Sequence, residues 1–204
     1  MKRFDSSAGI AIGPILFLLA IMGLIATVMA SGGSTSLGVA GNVDRVKADI
    51  VGQANLIRAK IQECHMQYAV NGTNYATAPC AGDPYPCSDQ TDGTLVSALT
   101  CPNDPLDGST ERSLWTGIRL ASLPPASKGF DEWHYMNAGT AGGRCIWTAP
   151  TTTPTSGGVI QGLTASASKF TSQEVSYSAT AEAQKFVVFI TRPTGTIDTH
   201  CELP

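Results

Sequence analysis

Charged side chains are scarce in this sequence. Asp, Glu, Lys and Arg make up only 14% of its 204 residues, against about 25% in an ordinary soluble domain. The net charge of −3 is mild, and no basic patch or stripe is present to follow a phosphate backbone, so nucleic acid is excluded as a partner. The motifs of common enzyme chemistry are missing too: there is no GxGxxG, Walker loop, GxSxG or HExxH. Histidine occurs only at His65, His134 and His200. Two of these abut cysteines, as Cys64-His65 and His200-Cys201. Neighbours on a helix or strand point in different directions, so neither pair converges by itself into a metal site or a Cys–His nucleophile. Asp131-Glu132 fails as an acid/base pair for the same reason. The expectation is of no catalytic, cofactor-binding or metal-ligating residue and of no cofactor; an exported hydrolase would need a constellation that is not visible.

No cysteine pair has CxxC spacing, which removes the zinc-ribbon reading. Six cysteines are present, Cys64, Cys80, Cys87, Cys101, Cys145 and Cys201. An even count behind an export-type N-terminus reads as up to three disulfides in an oxidising compartment, with the pairing left open by sequence. Many Ser, Thr and Gly residues with little charge suit an extracellular or assembled protein better than a cytosolic enzyme.

Charge is wholly absent from residues 10–30, IAIGPILFLLAIMGLIATVMA. At about 1.5 Å per residue, this run as a helix spans a hydrocarbon core of roughly 30 Å. Lys2 and Arg3 before it place the N-terminus in the cytoplasm and the rest of the chain outside. Val28-Met29-Ala30 before Ser31 also satisfies the small-x-small rule of a secretory signal peptide, which would release a soluble binding or adhesion protein. An uncleaved anchor is the third reading.

Ser7-Ala8-Gly9 followed by Ile10, and then Ala20-Ile21-Met22-Gly23-Leu24-Ile25-Ala26, resemble the N-terminus of type IV pilins and type II secretion pseudopilins. That resemblance implies cleavage between Gly9 and Ile10 by a prepilin peptidase and N-methylation of Ile10. It also implies an apolar helix that holds the subunit in the inner membrane and then becomes the core of an extracellular or periplasmic filament. Partners would be copies of itself or sibling pilins. The usual Glu at the fifth mature position is Pro14 here, and no acidic residue lies between Ile10 and Val43. A proline in the first turns of a helix costs little or nothing through its missing N–H. Gly13, Pro14, Ala20, Gly23 and Ala26 are the residues expected to allow close packing between apolar helices.

The remainder divides by composition. After the leader 1–9 and the apolar helix 10–30, residues 31–42 (SGGSTSLGVAGN) form a Gly/Ser segment expected to soften the helix. Residues 43–70 are expected to be an amphipathic helix capped by Asn42, with Val43, Val46, Ile50, Ala54, Ile57, Ile61, Cys64 and Tyr68 at steps of three and four. Residues 71–204 form the head. Its first part, 71–112, reads as loop rich in Gly, Pro and Asp, in which Cys80, Cys87 and Cys101 supply restraint and Cys64 can tie loop to helix. Strands are expected at 132–136, 144–148 and 185–191, with Gly142-Gly143 as a hairpin turn and residues 197–201 returning as a last strand. Cys145 with Cys201 would close a long loop worth about 3–4 kcal/mol; its position resembles the C-terminal disulfide-bounded loop of pilins. Trp115, Trp133, Tyr135 and Trp147 are read chiefly as core, with an adhesive face as the alternative. The fold class is α+β: a long N-terminal helix on an antiparallel, disulfide-stapled sheet.

Overall fold

The computed structural model describes residues 36–69, 80, 82–102, 111–115, 122–152, 157–178 and 185–203. Two compact units are distinguished, Met1–Asn42 and Val43–Pro204. The uncharged run 10–30, the leader junction Gly9-Ile10 and the residues Gly13, Pro14, Ala20, Gly23 and Ala26 lie outside the described residues. Among the described residues no helix is long and apolar enough to cross a membrane.

A long helix spans Ser36–Cys64 and continues into a wider π-type turn, His65–Ala69. It starts inside the Gly/Ser segment, so Asn42 is a helical residue and not the N-cap. Once a helix is nucleated, each residue added at its end gains a hydrogen bond without a new nucleation cost, and this carries the helix back past Gly38 and Gly41 despite their low propensity. Its stripe of Val46, Ile50, Ala54, Ile57 and Ile61 is fully buried, and Cys64 nearly so. The spacing puts all six on one face, and that face covers the sheet.

The main sheet is antiparallel with strand order β1-β4-β5-β7-β6. Its strands are β1 (Thr94–Leu95), β4 (His134–Asn137), β5 (Arg144–Thr148), β6 (Val175–Ser176) and β7 (Phe186–Thr191). A two-stranded ribbon pairs β2 (Thr100–Pro102) with β3 (Glu111–Ser113). Alternation along the central strands sorts their side chains. Tyr135, Ile146, Phe186, Val188 and Ile190 join the helix stripe in one core. Met136, Cys145, Val187 and Phe189 face the other way and gather Cys201 into a second, smaller core.

Four expectations change. The region 71–112 is not all loop, since it supplies the edge strand β1 and the ribbon. The connection between β4 and β5 is longer than a two-residue turn: it holds one helical turn, Gly139–Gly142, before Gly143. Gly143 has φ +88, and a Cβ there would sit 2.9 Å from Pro193 Cδ, so glycine is required. Residues 197–201 form no strand; they end in a turn closed by Cys201 N–H donating to the Asp198 carbonyl, 2.9 Å. Finally, a second helix, Gly157–Ala167, occupies a stretch that reads only as rich in small and hydroxyl residues. It lies so close to the long helix that a Cβ on Gly162 would come within 2.7 Å of Val46 Cβ. Gly158, Gly162 and Ser166 are its buried small residues, beside a fully buried Leu163.

Candidate functional site

All six cysteines are paired, as Cys64–Cys101, Cys80–Cys87 and Cys145–Cys201. The first ties the end of the long helix to the ribbon. The third closes a span of 56 residues between the sheet and the C-terminal tail. Neither cysteine beside a histidine is therefore a thiol, which removes the Cys–His nucleophile. Among the described residues no three of His, Cys, Asp and Glu are placed to hold a metal ion.

Two polar clusters lie at opposite ends of the sheet. The first forms where β4 ends, β5 begins and β7 ends. Arg144 opens β5 opposite Asn137 and Thr191, next to a register shift in the β5–β7 pairing. Its side chain is 7% exposed. A guanidinium cannot shed its charge, so burial demands partners. Nη2 donates to Asp83 Oδ2 at 2.6 Å and Nη1 to Thr191 Oγ1 at 3.2 Å, while the buried Nε donates to nothing. Asp83 sits on the short loop closed by Cys80–Cys87. Tyr85 of the same loop is layered between the guanidinium, 4.3 Å from its ring centre, and the His65 ring, 4.1 Å away and nearly parallel. Burial pushes the Tyr85 phenol up, against the Arg144 charge that favours its ionised form. The loop is fastened further by its Pro86 carbonyl, which accepts from Tyr135 Oη at 3.1 Å and Asn137 Nδ2 at 3.0 Å.

The second cluster lies at the far end, on the sheet face away from the long helix. Trp147 stacks on His134, with ring centres 5.2 Å apart, and is tilted against His200 at 5.8 Å. Lys185 Nζ lies 4.8 Å above the Trp147 ring and donates to the carbonyls of His200 and Glu202. Burial pushes the Lys185 ammonium down to about 8, and nearby Asp198 only partly opposes this. His134 is also lowered, chiefly by burial. The His200 ring is held by Asp198 at 2.9 Å. The chemistry here is cation–π and carbonyl binding of an ammonium, not proton transfer between matched groups.

The aromatic residues do not form one face. Trp133 and Tyr135 are buried on the helix side, where Trp133 Nε1 donates to Gln53 Oε1 at 2.7 Å. Trp147 is on the opposite side, and Trp115 Nε1 donates to the Val96 carbonyl at 2.6 Å. Asp131 and Glu132 are both exposed. Sequence reading missed Arg144, Asp83, Tyr85 and Lys185 as site residues. The available signal was an arginine and a lysine bordering apolar strands in a chain with little charge, since such cations have to find partners inside the fold.

No family model, no curated protein and no solved structure matches this chain.

Proposed function

We propose that this chain is a structural subunit of a type IV pilus-like filament and that its work is assembly, not catalysis. The observation that carries the reading is the long helix, Ser36–Cys64, whose apolar stripe caps an antiparallel sheet. It follows closely on the uncharged run 10–30 and on the Ser7-Ala8-Gly9-Ile10 junction. A sheet-capping helix preceded by an apolar extension is the arrangement a pilin-like subunit requires. The face of the helix turned from the sheet adds support. Ala48, Gly52 and Ala59 are exposed there, and a Cβ on Gly52 would meet nothing. Glycine in an exposed helix interior costs about 1 kcal/mol relative to alanine, and small residues let another helix approach closely.

On this reading the subunit waits in the inner membrane with its head outside the cytoplasm. A prepilin peptidase trims it after Gly9, and copies of itself or sibling pilins take it into an extracellular filament. The test is the mature N-terminus of the native protein, determined by intact-mass and peptide mass spectrometry. A methylated Ile10 is expected. A start at Ser31 would overturn the proposal, because the helix that builds the filament would be gone and a soluble secreted binding protein would remain.

A further inference from the structure

We infer that Arg144 heads a carboxylate-binding cradle which the chain fills with its own Asp83, and that the Cys80–Cys87 loop is a plug whose withdrawal frees the cradle for another carboxylate. The inference does not depend on the filament reading. Arg144 is held by the sheet, whereas its carboxylate partner is held by a loop. Its planar fork suits carboxylates, and bidentate pairing is its strongest mode. Here only Nη2 engages the carboxylate, and Nε stays buried without an acceptor. The cradle therefore has an unused donor beside the one in use. Asn137 Nδ2 and Tyr135 Oη, both donating to the loop's Pro86 carbonyl, line the same sheet end. A cradle of fixed donors surrounds a removable acceptor.

The plug is attached by the Asp83 and Pro86 hydrogen bonds and the Tyr85 stack, and Cys80–Cys87 joins its two ends to each other. Asp83, Pro84 and Tyr85 are only half-buried, and so is Cys87. Cys145 and Cys201, by contrast, are fully buried. A dithiol reductant therefore reaches Cys80–Cys87 before Cys145–Cys201. The exchange transfers two electrons and two protons: the reductant becomes a cyclic disulfide, and Cys80 and Cys87 become thiols. The loop then loses its closure while the third bridge still holds the sheet and tail.

The experiment uses the full chain and sodium formate as the probe, against sodium chloride at equal ionic strength. Asp83→Ala empties the carboxylate position and lowers the melting temperature. Formate is expected to raise the Tm of this variant by about 3–5 °C at ten times its dissociation constant. It should do nothing beyond chloride for the parent or for Asp83→Ala combined with Arg144→Met. Should Asp83→Ala fail to fold, the Cys80→Ser/Cys87→Ser chain is titrated instead, where the loop is unlocked and Asp83 competes. A concentration-dependent dimer of that chain, dispersed by formate, identifies the carboxylate as that of a second copy. A formate response without a dimer identifies a free carboxylate. No formate-specific shift in either variant overturns the inference.

Discussion

The two faces of the main sheet are covered in different ways. The face under the long helix is chiefly apolar: five fully buried residues from one helix, Val46 to Ile61, share a core with Tyr135, Ile146, Phe186 and Val188. Among the described residues, no helix or strand lies over the opposite face. Met136, Cys145, Val187 and Phe189 are covered by a tail without regular structure, fixed by Cys145–Cys201 and by Lys185 holding two tail carbonyls. Apolar burial chiefly holds the first face, with Cys64–Cys101 fastening only the end of the helix, whereas a covalent bond with a few polar contacts holds the second. A small core that lacks enough apolar area for its own cover is where a disulfide contributes most.

The sharpest test of that contrast is to cut the covalent fastening. For the 56-residue separation of Cys145 and Cys201, loop entropy alone gives about 4 kcal/mol. Cys145→Ser with Cys201→Ser should therefore lose about 3–4 kcal/mol in urea unfolding. Amide exchange should rise first in the tail, 198–203, and least in the long helix. Equal loss of protection in both would break the comparison. On the helix side, Ile57→Ala removes a fully buried side chain and should cost about 3 kcal/mol. Its amide-exchange signature is expected to be global, because helix and sheet share one core. A smaller effect tests the contact between helices. Gly162→Ala places a Cβ 2.7 Å from the branched Val46 Cβ, and the overpacking should outweigh the gain in helix propensity by about 1–2 kcal/mol. Unchanged or higher stability would show that the two helices can part without loss.

The helix face was the legible one. A stripe at steps of three and four forecasts the buried residues Val46 to Cys64 of the long helix, although its first member, Val43, is only half-buried, and residues 144–148 and 185–191 read as strands from their aromatic and branched residues. Even the division of β5, with Cys145 and Trp147 on one side and Ile146 on the other, follows from period two. The other face was less legible because its cover has no period. Ile197 to Cys201 looked like a strand, yet it is tied by a disulfide, a turn and a lysine, none of which leaves an alternating pattern. The second helix was hidden for a related reason: its contact with the long helix is made at Gly162, and its buried Gly158, Gly162 and Ser166 read as loop composition until a neighbouring helix explains them. The Arg144–Asp83 pair joins residues 61 apart in the chain, a distance that no local motif spans.

The smallest effect concerns the charge on the less protected face. Lys185 has its ammonium pushed down to about 8 from an ordinary value of 10.5, first by burial, with Asp198 opposing. The unfolded chain therefore holds this proton up to a higher pH than the folded one. Between about pH 8 and 10.5 the unfolded state binds more protons, so stability should rise with pH across that window and gain nothing from this group below it. Lys185 is partly exposed, so the gain is modest. Tyr85 and Tyr177, both raised above 10 by burial, act in the opposite sense only at the alkaline end, which sets the useful range at pH 7.5 to 9.5. Urea midpoints measured across that range should climb for the parent and stay flat for Lys185→Met. If both climb alike, another group is responsible. If the parent stays flat, the ammonium is solvated in the folded protein, and the disulfide with the apolar residues beneath it would hold the tail without the lysine.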